Sequence, residues 1–323
     1  MEAAKPPVVV CRRMPRCSLL VMLFVLASCG GKGASTGGER KSDLDADPLG
    51  LLPADPIVVA SFDARAVFSS GAAGAQVASI AGRLVPLGES AGFQATRDVE
   101  RVVLAEYATG GIDCAAVLTG HFDPAKIDAA TTANGGAPIV RGTYGGRTTH
   151  TVAAVEYAVL TPKTLVAGTG DGVRRLLDRV QAGSTDRTMA PWMVSTLETK
   201  GAEIAVAADF ETQPVASAAI GAVRLPWLDG MHVARIIGNF EPPGMNVAAT
   251  LTYGDSVQSQ TAADGMRSVE GLLKMLGPLL GGIRLQNLEV TTDAKDLRCK
   301  FAVDQDTLLT VLAFAPRFLT MTP

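Results

Sequence analysis

Ile57-Val-Val-Ala-Ser-Phe-Asp63 is an apolar stretch that returns in similar form, 147 residues later, as Ile204-Ala-Val-Ala-Ala-Asp-Phe210. Short apolar runs of this kind are typical of buried β-strands. Similarity between distant parts of one chain indicates a duplicated unit, and it limits the possible folds before any motif is considered. The pair therefore predicts that the body of this protein contains two copies of one unit.

Three more pairs of similar segments follow in the same order, with spacings of 134, 133 and 132 residues. They are 99–103 with 233–237, 114–119 with 247–252, and 163–165 with 295–297, the last pair followed by Leu176-Leu177 and Leu308-Leu309. A constant order with slowly drifting spacing favours duplication over chance matching among strands rich in Ala and Val. We expect copy one at 54–180, a connector at 181–201 and copy two at 202–323.

Hydrophobic periodicity and turn residues predict the elements of each copy. In copy one these are strands at 57–62, 99–107, 113–120, 139–144, 147–153, 156–160 and 164–167, and helices around 77–87, after Asp123-Pro124 and after Asp171 as N-cap. In copy two they are strands at 204–209, 232–240, 245–253, 283–291 and 296–303, and helices near 211–222, 262–280 and 305–317. The predicted fold class is α+β: two tandem copies of a mostly antiparallel sheet with helices packed on one face.

The composition limits the function classes. The chain has 323 residues, 47% of them hydrophobic and 19% charged, with a formal net charge of −3. This balance excludes a basic nucleic-acid footprint, and the apolar content excludes a mainly disordered chain. Three histidines and five cysteines make an elaborate His/Cys metal site a poor interpretation.

Residues 1–28 are expected to be a secretory signal. Lys5, Arg12, Arg13 and Arg16 precede the apolar run Ser18-Leu-Leu-Val-Met-Leu-Phe-Val-Leu-Ala27. That run is about half of the roughly 20 residues that a membrane-spanning helix needs. A basic leader, a short apolar stretch and small residues at its end are typical of a cleaved signal peptide.

Leu26-Ala27-Ser28-Cys29 resembles the lipobox of bacterial lipoproteins, in which an aliphatic residue and two small residues precede a cysteine. The resemblance implies cleavage before Cys29, a diacylglyceryl thioether on its sulfur, and acylation of the new amino terminus. It implies a cell-envelope location with the membrane as partner through the N-terminal lipid. Gly30 would favour the outer membrane if the source is Gram-negative. The alternative is an ordinary secretory cleavage near Ala27.

Residues 29–53 are expected to form a lipidated flexible tether. Gly30-Gly-Lys-Gly-Ala-Ser-Thr-Gly-Gly38 has the composition of a flexible linker. Asp43, Asp45 and Asp47 alternate as in a calcium loop, but Pro48 and Ala54 stand where that loop needs Gly and Glu. A solvated acidic linker is the better interpretation. Removing residues 1–28 leaves 25 basic and 31 acidic residues, a net charge of −6.

Two cysteines, Cys114 and Cys299, remain in the body of the chain. In an oxidising compartment they could form a disulfide, but both lie in apolar strand-like runs, so two buried thiols are an equal alternative. Two cysteines without a nearby histidine cannot complete a zinc site.

Gly88-Glu89-Ser90-Ala91-Gly92 matches the G-x-S-x-G string of α/β-hydrolases and resembles the version found in carboxylesterases. That elbow needs a strand before the serine, whereas the residues before Ser90 have helical periodicity. The expected alternative is a helix that ends in a Gly-rich loop.

Gly168-Thr-Gly-Asp-Gly172 could face a phosphate at a strand-to-helix turn, but its spacing departs from the dinucleotide fingerprint. A plain turn is the better interpretation. His121, His150 and His232 have no metal-ligand spacing, and each is expected at the surface.

The function that the sequence favours is a lipid-anchored cell-envelope protein with a binding or scaffolding role. We expect no catalytic residue, no cofactor and no metal, and lipid attachment at Cys29. The expected partners are the membrane and an unknown envelope protein or apolar ligand, and not nucleic acid. The alternatives are a serine esterase through Ser90 and a carrier of lipid or another apolar ligand.

Overall fold

The α+β class is confirmed by a computed structural model, which describes residues 44–84, 87–109, 113–214, 219–220, 223–224, 226–276, 282 and 284–320. One large antiparallel sheet of twelve strands runs through the molecule. The signal peptide, Cys29 and the first part of the tether lie outside the described residues. Of the helices in the described part, none is long and apolar enough to cross a membrane.

The strands of the large sheet are β1 Val58–Asp63, β2 Val99–Glu106, β3 Cys114–Gly120, β4 Val140–Tyr144, β5 Arg147–Val152, β6 Val155–Thr161, β7 Thr164–Gly168, β8 Ile204–Asp209, β11 Met231–Asn239, β12 Gly244–Tyr253, β13 Gln286–Asp293 and β14 Asp296–Asp304. A separate two-stranded ladder pairs β9 Ala219–Ile220 with β10 Val223–Arg224. Residues 219–220 thus form extended chain where the sequence predicted the end of a helix over 211–222.

The helices are α1 Pro48–Leu51, α2 Ala64–Ser69, α3 Gly71–Leu84, α4 Ala95–Asp98, α5 Pro124–Ala129, α6 Gly170–Gln181, α7 Pro191–Leu197, α8 Ser256–Leu276 and α9 Gln305–Thr320. The connector predicted at 181–201 therefore contains a helix of its own, α7. Pro191 stands at its first position, where a missing N–H breaks no helical hydrogen bond.

The strand order repeats along the sheet. The first half of the molecule, residues 44–200, contributes β1-β2-β3-β7-β6 from the centre outward, followed by the extra hairpin strands β5 and β4. The second half, residues 201–320, contributes β8-β11-β12-β14-β13. β1 pairs antiparallel with β8, so the halves share one continuous sheet. The sequence predicted two tandem sheets.

The ladders correct the spacing of two matched segments. The centre of the β1–β8 ladder lies at Ala60 opposite Val206, so β1 and β8 correspond at a spacing of 146 residues and not 147. At this spacing Asp63 corresponds to Asp209, and each carboxylate accepts a hydrogen bond from the N–H two residues later. The register of β2 and β11 gives 132 residues and not 134, with a bulge at equivalent positions in both strands. A one-residue slip matters because it would turn every side chain to the other face.

The sheet has two faces with different covers. The front face carries Phe62, Leu118, Val206 and Leu251, which pack under helices of both halves. Those helices are α2, α3, α5, α8 and α9. The back face carries Val59, Val117 and Ala207 under α1, α6 and α7. Helices therefore cover both faces of the first half, whereas the sequence predicted helices on one face only.

The acidic stretch before β1 is not a solvated linker. The Thr164 hydroxyl donates to Asp45 Oδ1 at 2.6 Å, and Asp47 caps α1 while pairing with Arg187 at 2.6 Å. Three leucines that follow are buried in the back-face cluster: Leu49, Leu51 and Leu52. The described part of the predicted tether, 44–53, thus belongs to the folded body, because its leucines pack into the back-face cluster.

Candidate functional site

The serine of the G-x-S-x-G string lies in a 3-10 turn, Glu89–Ala91, in the chain that follows α3. The Ser90 hydroxyl donates to the carbonyl oxygen of Thr132 at 2.9 Å. Gly92 closes the turn in the left-handed region, with φ 65°. A nucleophile elbow needs a strand immediately before the serine, and this geometry does not provide one.

The histidines lie at separate places. His121 is exposed, with Nδ1 3.4 Å from Glu100 Oε1, and His232 lies half-buried on β11. His150 was predicted at the surface, but it is fully buried on the front face of β5. Its Nε2 lies 2.9 Å from Asp128 Oδ1, and its ring stacks on Tyr157 at 5.1 Å between ring centres. The cross-strand partner and α5 bury this side chain, an effect that local polarity in the sequence does not reveal.

The described residues contain neither an assembled metal-binding site nor a reactive cysteine thiol. No group of three or more His, Cys, Asp or Glu side chains there could hold a metal ion. Cys114 and Cys299 are both buried and form no disulfide, so the alternative of two buried thiols is the one observed. Burial raises the pKa of the Cys299 thiol to about 11. A thiol with so high a pKa is a poor nucleophile at neutral pH.

The glycines of the 168–172 turn serve close packing of α6 on the sheet. Thr169, and not the predicted Asp171, caps the helix by accepting from the Gly172 N–H at 3.2 Å. A Cβ on Gly172 would collide with the carbonyl oxygen of Cys114. Glu156 places its carboxylate 3.0 Å from where a Cβ of Gly170 would stand. An acidic side chain thus already occupies the first turn, which is the place that a phosphate would need.

The two halves diverge at the helix that follows their last matched strand. α6 follows β7 and packs on the back face through Val173, Leu176 and Leu177. α9 follows β14 and packs on the front face through Leu308 and Leu312. In the part of the chain that the structure describes, no helix packs on the back face of β12, β13 or β14. Within the described part of the second half, no helix therefore takes the position that α6 holds in the first, and we call this the vacant position.

A cavity of about 500 Å³ lies at this vacant position. We call it the groove, and the residues that line it include Lys200, Ile237, Asn239, Asn246, Ala248, Asn287, Glu289, Lys300 and Ala302. Its volume falls in the range of small-molecule pockets, roughly 300–1,000 Å³.

The groove residues correspond in register to the residues beneath α6. In the first half Arg175 of α6 stacks over Tyr107 at 4.5 Å and pairs with Asp113 at 2.6 Å. Equivalent ladder positions of the second half carry Asn239 and Asn246. The full set of replacements is Tyr107 by Asn239, Asp113 by Asn246, Val117 by Thr250, Val166 by Arg298 and Gly168 by Lys300, while Glu156 corresponds to Glu289.

The sheet face beside the groove is more polar than its counterpart in the first half. Val117 and Val166 are fully buried beneath the helices, whereas Thr250 and Arg298 reach solvent. A sheet face covered by helices needs apolar side chains, whereas a face open to solvent tolerates polar ones. The polarity of these residues therefore matches the presence of helices over the first half and their absence, among the described residues, over this part of the second.

Hydrogen bonds orient the amide groups of the groove. Asn246 Nδ2 donates to Asn239 Oδ1 at 3.1 Å and lies 3.3 Å from the Glu241 carbonyl oxygen. This arrangement leaves Asn246 Oδ1 as an acceptor and Asn239 Nδ2 as a donor. Lys300 and Glu289 are direct cross-strand neighbours, and neither Lys200 nor Lys300 forms an ion pair with another described residue.

One wall of the back face beside the groove is α7. The guanidinium of Arg235 on β11 lies 5.1 Å from the ring centre of Trp192 on α7. This cation–π contact joins the helix to the strand. The chain then turns at Lys200 and Gly201 into β8 and closes one end of the groove.

Sequence reasoning missed every residue of the groove. The signal was present in the duplication, because a register-based match places Arg298 and Lys300 where the first copy has Val166 and Gly168. A charge on one face of an otherwise similar strand indicates that the face has lost its cover.

Comparisons with known proteins bear on the fold alone. No family model matches the chain, and no curated protein does. The solved structures similar to it include two crystal forms of TP0453. Crystal form I has 11% identity and a TM-score of 0.50, and the match covers 85% of this chain and 98% of that one. Crystal form III has 11% identity and a TM-score of 0.51, and the match covers 83% of this chain and 98% of that one.

Proposed function

We propose that this chain is a lipid-anchored cell-envelope protein that binds a small polar ligand without catalysing its conversion. The observation that carries the binding role is the groove at the vacant α6 position. Small-molecule sites have a volume in this range and a few polar groups that fix the orientation of the ligand, and the groove has both.

The anchor rests on the lipobox-like Leu26-Ala27-Ser28-Cys29. Fourteen residues separate Cys29 from Leu44, which packs against the back-face cluster. An extended chain spans at most about 3.5 Å per residue, so the anchor would hold the body within about 50 Å of the bilayer. Leu44 and the groove lie on the same face of the sheet, so the tether would leave the body on the side that carries the groove.

The groove favours a polar ligand over an apolar one. Its amides, ammonium groups and carboxylate would each lose water beneath an acyl chain without gaining a partner, which is unfavourable. Carriage of a lipid is therefore not the function that this geometry favours. The esterase alternative lacks support as well, because Ser90 donates to a backbone carbonyl in a 3-10 turn.

Native mass spectrometry of the detergent-extracted protein tests both parts of the proposal. We expect a covalent mass excess from acyl groups, which Cys29→Ala abolishes, and a non-covalent small-molecule adduct. Ala248→Trp should remove the adduct by filling the groove, whereas Thr148→Trp, at an exposed position of β5, should keep it. A protein without acyl mass contradicts the anchor, and an adduct that survives Ala248→Trp contradicts the site.

A further inference from the structure

We propose that the ligand of the groove is a sugar acid, a polyhydroxylated molecule whose carboxylate lies between Lys200 and Lys300. This inference rests on the proposed function and names the ligand class for the same site. It follows from a comparison of charges between the first half, where α6 fills the position, and the second half, where nothing in the described chain does.

The first half shows which charge the position accepts. There the occupant is α6, whose Arg175 pairs with Asp113 at 2.6 Å and stacks over Tyr107. The position in the first half thus holds a cationic side chain, Arg175, between a carboxylate and an aromatic ring.

The second half reverses this charge pattern. Asn246 replaces the carboxylate of Asp113 with a neutral amide, and Asn239 replaces the aromatic ring of Tyr107. Lys300 adds an ammonium group where the first half has Gly168. The position has lost one carboxylate and one aromatic ring that favour a cation and has gained an ammonium group that favours an anion, in a chain whose net charge is −3. Charged hydrogen bonds to a carboxylate are the strong ones, so the anion would lie at the lysines.

Glu289 retains the carboxylate of Glu156, and this indicates that the ligand carries other groups besides its negative charge. Glu156 of the first half lies beside the first turn of α6, and Glu289 of the second half opens into the groove. An exposed carboxylate repels a bare anion and accepts hydrogen bonds from hydroxyl groups. Asn246 Oδ1 is a second acceptor on the same floor. The ligand must therefore carry donors as well as negative charge, and hydroxyl groups beside a carboxylate meet both requirements.

The net charge of the groove decides between hydroxyl and ammonium donors. Lys200 and Lys300 against Glu289 give one excess positive charge. A ligand with one carboxylate and neutral hydroxyls balances that charge, whereas a zwitterion does not.

Isothermal titration calorimetry on the detergent-extracted, full mature protein tests the inference with three probes: glucuronate, glucose and inorganic phosphate. Glucuronate and glucose differ by a single carboxylate. We expect glucuronate to bind at least about tenfold more tightly than either other probe, as one charge-assisted hydrogen bond allows. Lys300→Gln should remove this preference, and Lys163→Gln, in the exposed turn between β6 and β7, should leave it unchanged.

Glu289→Gln separates the role of the hydroxyls from that of the charge. It should weaken glucuronate binding, since an amide is a poorer acceptor than a carboxylate, and strengthen phosphate binding, since a repulsive charge is gone. A variant that strengthens both would overturn the inference, because the hydroxyls would then make no use of the carboxylate.

The remaining outcomes distinguish the two proposals. Equal binding of glucose and glucuronate, or of phosphate and glucuronate, overturns the sugar acid and leaves the binding role intact. If no probe binds while the native adduct still depends on Ala248, the ligand class is wrong and the site stands. If no probe binds and no adduct exists, both proposals fail.

Discussion

Gly172 and Gly271 are helical glycines whose surroundings differ completely. A Cβ on Gly172 of α6 would collide with the backbone oxygen of Cys114, whereas nothing lies within 4 Å of the Cβ position of Gly271 on α8. Glycine at position 172 thus permits close packing of α6 on the sheet. Glycine at position 271 improves no packing and only makes the unfolded chain more flexible. The same residue type has opposite consequences because the neighbours differ.

Gly172→Ala should therefore destabilise the protein, by about 1–3 kcal/mol as for other overpacked sites. Gly271→Ala is the matched control and should stabilise it by about 0.5–1 kcal/mol, since alanine is the better helix former. Urea unfolding followed by circular dichroism measures both values. Equal and small effects would show that α6 can move away from β3 without cost.

At the scale of elements, the capping of helices explains how the chain changes direction at the ends of strands. Asp304 ends β14, accepts from the Thr307 N–H at 2.8 Å and from Gln286 Nε2 at 2.8 Å, and so begins α9. Burial acts to raise the pKa of this carboxyl, but the hydrogen bonds from Thr307 and Gln286 outweigh it and hold the pKa below its usual value. The ionised form is therefore the one that the fold favours.

Asp304→Ala should cost about 1 kcal/mol at pH 7, as the loss of an N-cap usually does. Because the folded pKa is lowered, the contribution of Asp304 is present above the unfolded pKa of about 3.9 and is lost as the pH falls through the folded value. The gap in unfolding free energy between wild type and variant should thus narrow below about pH 4. Asp306→Ala, two residues away and exposed, should change stability by less than about 0.5 kcal/mol at any pH.

At the scale of the whole molecule, the two halves share a core as well as a sheet. The front-face cluster contains Phe62, Val67 and Val77 of the first half with Val206, Leu251 and Leu308 of the second. α9 of the second half also packs against α3 of the first. Neither half can bury these side chains alone.

Unfolding in urea should accordingly be a single transition. Fluorescence of Trp192 and Trp227, which lie in the connector and the second half, should follow the same curve as circular dichroism of the whole chain. Separately produced residues 44–200 and 201–320 should not give cooperative curves, because each exposes a central strand edge. Two resolved transitions in the intact chain would mean that β1 and β8 pair without coupling the halves.

The sequence alone determined what depends on neighbours along the chain. Apolar runs, turn residues and the order of matched segments predicted the α+β class, most strands and the closing helices α6 and α9. It misjudged the register of the first match by one residue, since Asp63 and Asp209 show their equivalence only through the ladder between β1 and β8.

Tertiary structure decided what depends on which face a residue meets. The strand-to-helix turn after β7 sends α6 to the back of the sheet, whereas the turn after β14 sends α9 to the front, and the alternation of the two strands does not indicate these directions. That choice buries Val166, exposes its counterpart Arg298 and opens the groove. The physical reason is that periodicity specifies an apolar face, whereas the helix that covers this face is chosen by tertiary packing and not by the strand's own sequence.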